Sequence, residues 1–99
     1  MAFVSNQVIG VTTEAAIYTG AGTAATVIGL SIANTSASAV TASARLGVAG
    51  AYIVKNAPIP VGGSLIVVGG DQKLVVETGV EVRVEASGTV DVITSALES

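Results

Sequence analysis

The alternation of valine with charged residues near the C-terminal end constrains the fold of this chain more than any other feature. In the segment Val80–Glu85, each valine is followed by glutamate or arginine. Successive side chains of a β-strand point to opposite faces, so this spacing places valines on one face and charges on the other. The segment is predicted to be a strand with one face on a hydrophobic core and a solvent-facing side whose charges pair with neighbouring strands.

The same period of two recurs in the earlier segments Val27–Asn34 and Val40–Leu46. In the first, Ile28, Leu30 and Ile32 alternate with small or polar residues and are expected to face inward. In the second, the apolar residues at even-numbered positions are expected to face inward, with threonine, serine and arginine facing outward. Hydrophobic contacts are expected to centre on six residues: Ile28, Leu30, Ile32, Leu46, Val82 and Val84.

Other short runs rich in β-forming residues lie between turn residues and are also predicted to be strands. They are Val4–Val11, Thr12–Thr19, Ala51–Lys55, Ser64–Val68, Gln72–Val76 and Thr89–Ala96. Glycines that tolerate a positive φ predict turns between several of them. These turns are Thr19–Gly22, Leu46–Ala51, Gly69–Gln72 and Glu77–Gly79.

Three connections have a specific prediction. The polar segment Asn34–Ser38 is predicted to be a hairpin loop, and Ser87–Gly88 to form the last hairpin. The segment Asn56–Gly63 contains the two prolines of the chain, which cannot donate to a hydrogen-bond ladder. It is predicted to be a crossing loop at a sheet edge or between sheets.

These segments amount to roughly seven to nine strands with no helical stretch, which is typical of an all-β sandwich or barrel. We expect an antiparallel β-sandwich, with a jelly roll as one candidate topology, in which two sheets share a core of Val, Ile, Leu and Ala. No linker, composition shift or repeat divides the chain, so residues 1–99 are expected to form one domain.

The composition predicts a surface that is covered by other subunits. Charged residues make up 11% of the chain, whereas an average soluble protein has about 25%. A domain of 99 residues exposes most residues outside its small core, and here these are mainly Ala, Ser, Thr, Val and Gly. We expect a subunit of a larger assembly; the alternative is a monomer with a bland surface.

Several functional classes are disfavoured by the sequence. The net charge is −3 and the four basic residues are scattered, so no stripe suited to phosphate neutralisation is present and nucleic-acid binding is not expected. No apolar run approaches the ~20 residues of a membrane span, and the N-terminal sequence lacks the features of a secretory signal. The absence of cysteine excludes disulfides and thiolate metal sites.

Candidate catalytic, cofactor and metal residues were sought and none is assigned, because histidine and cysteine are absent. Glu81 and Glu85 would lie about 13 Å apart on a strand, which is too far for paired acid–base chemistry and fits a solvated face. Asp71 and Glu77 could contribute to a calcium site, but acids are also common in turns. The glycines of Gly69–Lys73 match no phosphate-binding loop and fit a tight turn. The chain is not expected to be an enzyme.

Tyr18 and Tyr52 are the side chains best suited to stacking against a sugar. Two tyrosines on different strands are more often core or subunit contacts. Sugar binding therefore stays as an alternative.

Five blocks of the sequence resemble small structural proteins of bacteriophage virions. In chain order, they are Val27–Thr35, Tyr52–Leu65, Val67–Gly79, Val80–Val84 and Asp91–Glu98. The resemblance implies a short β-sandwich component of a tailed-phage virion, assembled in the host cytoplasm. It implies no catalytic residue.

Together, composition and resemblance predict a head-decoration (cement) protein that binds neighbouring capsid subunits. The expected partners are other virion proteins, above all the major capsid protein, and further copies of the chain itself, with a homotrimer as a guess. The alternative is a small tail or fibre component that binds host glycans.

Overall fold

The computed structural model describes residues 2–20, 24–47, 50–69 and 73–98. Within these ranges the secondary structure is nine β-strands and no helix. The strands are β1 (Ala2–Val11), β2 (Ala15–Thr19), β3 (Ala24–Asn34), β4 (Val40–Leu46), β5 (Tyr52–Ile59), β6 (Ser64–Val68), β7 (Leu74–Glu77), β8 (Glu81–Ala86) and β9 (Val90–Glu98).

The strands form two antiparallel sheets that pack face to face. In the first sheet, the order is β1-β9-β3, and the short strands β6 and β7 both pair with the far side of β3. In the second sheet, the order is β2-β8-β4-β5. The pairs β1·β9, β2·β8, β3·β6/β7 and β4·β5 are nested in the sequence, which is the arrangement of a jelly roll. The predicted antiparallel sandwich is thus confirmed.

The inner faces of both sheets supply one hydrophobic core, rich in valine. Its fully buried side chains include Ile17, Val27, Leu30, Ile32, Ile59, Val68, Val76, Val82, Val84, Val90 and Val92. Burial of each such side chain contributes about 1.5–3 kcal/mol. The predicted inward direction of Leu30, Ile32, Val82 and Val84 is confirmed.

The prediction for Ile28 is wrong, because β3 contains an irregularity. Along β3 and β9, Val27 is opposite Ala96 while Gly29 is opposite Ser95, so Ile28 is an extra residue in the ladder. The inward positions are therefore Val27, Leu30 and Ile32, and Ile28 is only half-buried. Leu46 is also half-buried and packs at the margin of the core.

The predicted crossing loop Asn56–Gly63 is a strand in its first half, since β5 continues through Pro58 to Ile59. β5 is an edge strand of the second sheet, and a proline is tolerated there because no ladder bond is needed on the outer side. The edge position is confirmed. The loop assignment is wrong for Asn56–Ile59, and it is confirmed for residues 60–63, which connect β5 of the second sheet to β6 of the first.

The segments Asn34–Ser38 and Ser87–Gly88 are not hairpin loops, because each connects the two sheets. Asn34 is buried, and its side-chain nitrogen donates to the carbonyl oxygens of Ser38, Ile59 and Pro60 at 2.9–3.2 Å. Its side-chain oxygen accepts from the backbone N–H of Ser36 at 2.9 Å. A buried amide with these partners holds the crossover in place.

Other predicted elements have mixed outcomes. The strand predicted from Thr12 begins at Ala15 instead, and Glu14, just before it, pairs with Arg45 and Arg83. The Glu77–Gly79 turn is confirmed, with Gly79 at a φ of 83°. The Leu46–Ala51 turn does connect the paired strands β4 and β5, although residues 48–49 lie outside the described part. Residues 21–22 of the predicted turn Thr19–Gly22 and residues 70–72 of the predicted turn Gly69–Gln72 also lie outside it.

Candidate functional site

The outer surface of the first sheet carries large apolar side chains that the fold leaves exposed. We call it the apolar face, and it is defined by Phe3, Ile9, Ile66, Val75 and Ile93. Each of these side chains is more than half exposed, from 52% for Ile93 to 76% for Phe3 and Ile9. These residues belong to β1, β6, β7 and β9, so the face extends across the whole width of the sheet.

Strand register fixes how these residues are arranged. One row across the sheet contains, in order, Phe3, Leu97, Thr26 and Val75. A second row contains Gln7, Ile93, Ser31 and Ile66. Between the two rows lie Ser5, Ser95 and Gly29. The middle of the face is therefore a mixture of apolar and small polar side chains without a charge.

The charges of the first sheet lie near strand ends. Its strands contain only three charged residues, Glu77, Asp91 and Glu98, and all are acidic. Asp91 accepts a hydrogen bond from the backbone N–H of Gly10 at 3.0 Å. Glu98 accepts one from the hydroxyl of Tyr18 on the second sheet at 2.6 Å. Two of these three acids therefore accept hydrogen bonds from other parts of the same chain.

The outer surface of the second sheet has the opposite character. We call it the charged face, and it is defined by Glu14, Arg45, Glu81, Arg83 and Glu85. Arg45 on β4 and Arg83 on β8 are directly opposite in the register, which would be unfavourable without a counter-charge. Glu14 supplies it, with an oxygen 2.9 Å from Nη2 of Arg45 and another 2.7 Å from Nε of Arg83.

Electrostatics at Glu14 follow from this geometry. Hydrogen bonds from Arg83 and then from Arg45 lower the pKa of the Glu14 carboxyl below its usual value of 4.5. Arg83 also donates to Glu81 at 2.5 Å, and its pKa is raised by the bonds to Glu14 and Glu81. The network keeps opposite charges paired across β8, β4 and the segment before β2, so its first role is to hold the second sheet together.

The two tyrosines considered for sugar stacking are not brought together. Tyr18 on β2 and Tyr52 on β5 belong to the two opposite edges of the second sheet. Tyr18 is buried, and burial together with its bond to Glu98 raises its pKa to about 12. Tyr52 is 42% exposed, with Arg45 and Lys55 at 5.5 and 5.0 Å from its ring centroid. Only Tyr52 presents its ring near solvent, and two cations already lie against it.

A shallow open depression of about 200 Å³ lies beside the charged face. Its lining is polar: Thr41, Ser43, Asn56, Glu85, Ala86 and Ser87. Ser43 and Asn56 already bond to each other, because the backbone N–H of Asn56 donates to the Ser43 hydroxyl at 2.9 Å. The exposed Glu85 is the charged group of this depression, which suits weak binding of a small polar group.

The acidic residues considered at the sequence level do not form a cluster in the described part of the chain. Glu81 pairs with Arg83, Glu85 lies in the depression, and Glu77 ends β7. Gly70 and Asp71 lie outside the described residues, whereas Gly69 lies within them. Among the residues that the structure describes, no group of three or more potential metal ligands occurs, and no helix is long and apolar enough to cross a membrane.

Sequence reasoning missed the role of Glu14 and the existence of the apolar face as a continuous surface. The two outward arginines of β4 and β8 were a usable signal, since opposed like charges on adjacent strands require a counter-charge. The partners of Glu14 are 31 and 69 residues away, so local patterning does not reveal which acid supplies it.

Comparisons of this chain with protein-family models, with curated proteins and with solved structures found no match.

Proposed function

We propose that this protein is a structural subunit of a bacteriophage virion that decorates the head and stabilises it by binding neighbouring subunits of the major capsid protein. The observation that carries the proposal is the apolar face. Exposed isoleucine, valine and phenylalanine on a continuous sheet surface, without a charge in the middle, favour contact with another protein. The resemblance of the sequence to phage virion proteins supports this kind of assembly.

The size of the apolar face is compatible with attachment to a repeated lattice. Four strand positions spaced ~4.8 Å apart, each taken over about eight residues with a rise of ~3.3 Å per residue, give roughly 500 Å² of sheet surface. One contact of this size is at the lower end for specific complexes. A capsid repeats the same site many times, and linked copies of a decoration subunit would bind with added avidity.

The charged face suits the opposite side of such a subunit. When the apolar face is against the shell, the second sheet points to solvent and presents Glu81, Arg83 and Glu85 there. The net charge of −3 then remains exposed, which favours solubility of the decorated particle. The absence of cysteine means that the durability of the subunit rests on packing and assembly.

The test is binding of the purified protein to capsids that lack it, measured by co-sedimentation. Ile93→Lys places a charge in the middle of the apolar face, and Thr41→Lys places the same charge on the exposed outer surface of the second sheet. A buried unpaired lysine is strongly unfavourable, so we expect Ile93→Lys to weaken binding by about 100-fold or more. Thr41→Lys should change binding by less than about threefold.

The proposal is overturned if the wild-type protein does not bind capsids, or if Ile93→Lys binds as well as the wild type. Mass spectrometry of purified virions provides an independent check, because a decoration protein must be present in many copies. Circular dichroism of both lysine variants establishes that a loss of binding is not a loss of folding.

A second candidate function is a tail or fibre component that binds host glycans, and the depression and the exposed ring of Tyr52, both on the second sheet, favour it. In that case the contact residues lie on the second sheet. Loss of binding to virions or glycans in Thr41→Lys, with normal binding by Ile93→Lys, would support this alternative. A glycan array with specific and saturable binding would identify the ligand.

A further inference from the structure

The sandwich has four sheet edges, and three of them are poorly suited to accept another strand. The β5 edge contains Lys55, Pro58 and a positive φ of 54° at Asn56. On the β6/β7 edge, two strands of five and four residues replace one continuous strand. The β2 edge is five residues long and irregular between Ala16 and Tyr18. Short strands, proline, lysine and irregularities are features that prevent edge-to-edge pairing.

The fourth edge is neither short nor interrupted by proline or lysine, and its irregularity lies near its end, between Val8 and Val11. β1 is ten residues long, from Ala2 to Val11, and contains neither proline nor a charged residue. In the described part of the chain, β1 pairs only with β9. Its outer side therefore presents unpaired backbone N–H and C=O groups, which can form a ladder with another extended strand.

β1 is held firmly in the position that such pairing requires. It follows β9 in a regular register from Ala2 to Val8. The side-chain nitrogen of Asn6 donates to the carbonyl oxygen of Ile17 on the second sheet at 2.5 Å. The register shifts between Val8 and Val11, where Gly10 has a φ of 74°, so the regular stretch available to a partner ends near Ile9.

We infer that two copies of this chain associate through their β1 strands, antiparallel, about a two-fold axis at Asn6. In this register Phe3 is opposite Ile9 of the second copy, Val4 is opposite Val8, and Ser5 is opposite Gln7. Phe3, Ser5, Gln7 and Ile9 alternate with Val4, Asn6 and Val8 along the strand, so both faces match apolar with apolar and polar with polar.

Neighbouring registers are less favourable. An axis at Ser5 places Phe3 opposite Gln7 and Val4 opposite Asn6. An axis at Gln7 places Ser5 opposite Ile9 and Asn6 opposite Val8. In both of these registers, each face of the strand pair has an apolar side chain opposite a polar one. The register with its axis at Asn6 has no such mismatch on either face.

Charge does not oppose a second copy at this edge. The chain carries a net charge of −3, so two copies repel each other wherever acidic surfaces meet. β1 has no charge, and the register at Asn6 brings no acids of the two strands opposite each other. The product is a dimer with a first sheet continuous across both copies and with two apolar faces side by side. This inferred dimer is an alternative to the trimer guessed from the sequence.

The test uses the absence of native cysteine, which makes introduced thiols unambiguous. Ser5→Cys and Gln7→Cys are prepared as separate proteins, because Ser5 and Gln7 are exposed on the same side of β1. An equimolar mixture under mild oxidation should form a disulfide-linked heterodimer at least about ten times faster than either protein forms a homodimer, since cross-strand Cβ atoms lie about 5 Å apart only for the opposed pair.

Light scattering of the wild-type protein should give twice the chain mass of 9.6 kDa. The inference is overturned if the wild-type protein is a trimer, or a monomer at millimolar concentration. It is also overturned if Ser5→Cys or Gln7→Cys forms a disulfide-linked homodimer faster than the mixture forms the heterodimer. The double variant Ser5→Lys/Gln7→Lys opposes lysines across the axis and should be monomeric. The control Ser64→Lys, on the β6 edge of the same sheet, should stay dimeric.

The inference does not depend on the virion role. A monomer that binds capsids through Ile93 would overturn the dimer and leave the proposed function intact. A dimer that does not bind capsids would overturn the proposed function and leave the inferred dimer intact.

Discussion

The two outward surfaces of this sandwich have opposite chemistry, although both cover the same core. On the second sheet, Glu14, Arg45 and Arg83 pair with one another over long sequence separations, so the charges have partners within the chain. On the first sheet, Phe3 and Ile93 are exposed, and no charge separates the apolar rows. The charged face therefore contributes to the stability of the isolated chain, whereas the side chains that define the apolar face remain more than half exposed in it.

This difference shows how a chain with 11% charged residues distributes its charges. Its few charges are concentrated where two opposed arginines would otherwise repel across adjacent strands. The remaining surface is small, polar or apolar, and burying it against another protein requires little desolvation of charge. The comparison predicts that substitutions on the two faces, and in the core between them, have distinct signatures.

The largest effect should come from the inner side of the first sheet. Leu30 on β3 is 1% exposed and packs among the core residues of both sheets. Leu30→Ala removes buried apolar surface and leaves a cavity, so we expect the free energy of unfolding to fall by about 2–5 kcal/mol. Urea denaturation followed by circular dichroism measures it. A loss below about 1 kcal/mol would mean that this side of β3 is not in the core.

On the charged face, Glu14→Gln should destabilise the protein less than Leu30→Ala does. The substitution leaves the guanidinium groups of Arg45 and Arg83 opposed without a shared carboxylate. Because these groups are partly accessible to solvent, the difference in melting temperature from the wild type should shrink as salt is raised. Thermal denaturation at low and high sodium chloride measures this dependence.

The same pair of proteins tests the pKa of Glu14. Because folding lowers this pKa below 4.5, its contribution to stability is present above that value and is lost as the pH falls through the folded pKa. The wild type and Glu14→Gln should therefore converge in stability at acidic pH. Glu85→Gln, on the exposed part of the same face, is the control and should keep the acid sensitivity of the wild type. A constant gap between wild type and Glu14→Gln at all pH values would contradict the role of this carboxylate.

The sequence predicted the strands that follow a regular period and failed where pairing between distant strands changes it. β8 is regular, so the inward positions of Val82 and Val84 were correct. In β3 the extra residue Ile28 is accommodated by pairing with β9, which no local pattern reveals. Pro58 indicated a loop because the position of β5 at a sheet edge, where proline is tolerated, depends on the whole topology.

The sequence indicated a surface poor in charge, but it did not indicate which face of the fold carries the exposed apolar side chains. Low charge led us to expect a surface covered by other subunits, which stays a prediction. The place of any apolar surface depends on which side of each strand faces outward and on which strands are adjacent. Phe3 and Ile93 come from opposite ends of the chain and lie on the same face only because β1 pairs with β9. The buried Asn34 was interpreted as part of a polar loop, since its carbonyl partners come from a distant segment.

The smallest effect on stability is expected from a substitution on the apolar face. The size of this effect shows whether the face is open in the free protein or stacked against a second copy. Ile93→Thr keeps a β-branched side chain on β9 while removing apolar surface from a residue that is 52% exposed. If the face is open in the free protein, the free energy of unfolding should change by no more than about 0.5 kcal/mol. If two copies instead stack through their apolar faces, the loss should exceed about 1 kcal/mol and depend on protein concentration. Urea denaturation at two protein concentrations a hundredfold apart distinguishes these results. Only a small loss that does not depend on concentration is compatible with association through the β1 edge, because that association leaves both apolar faces available to a partner.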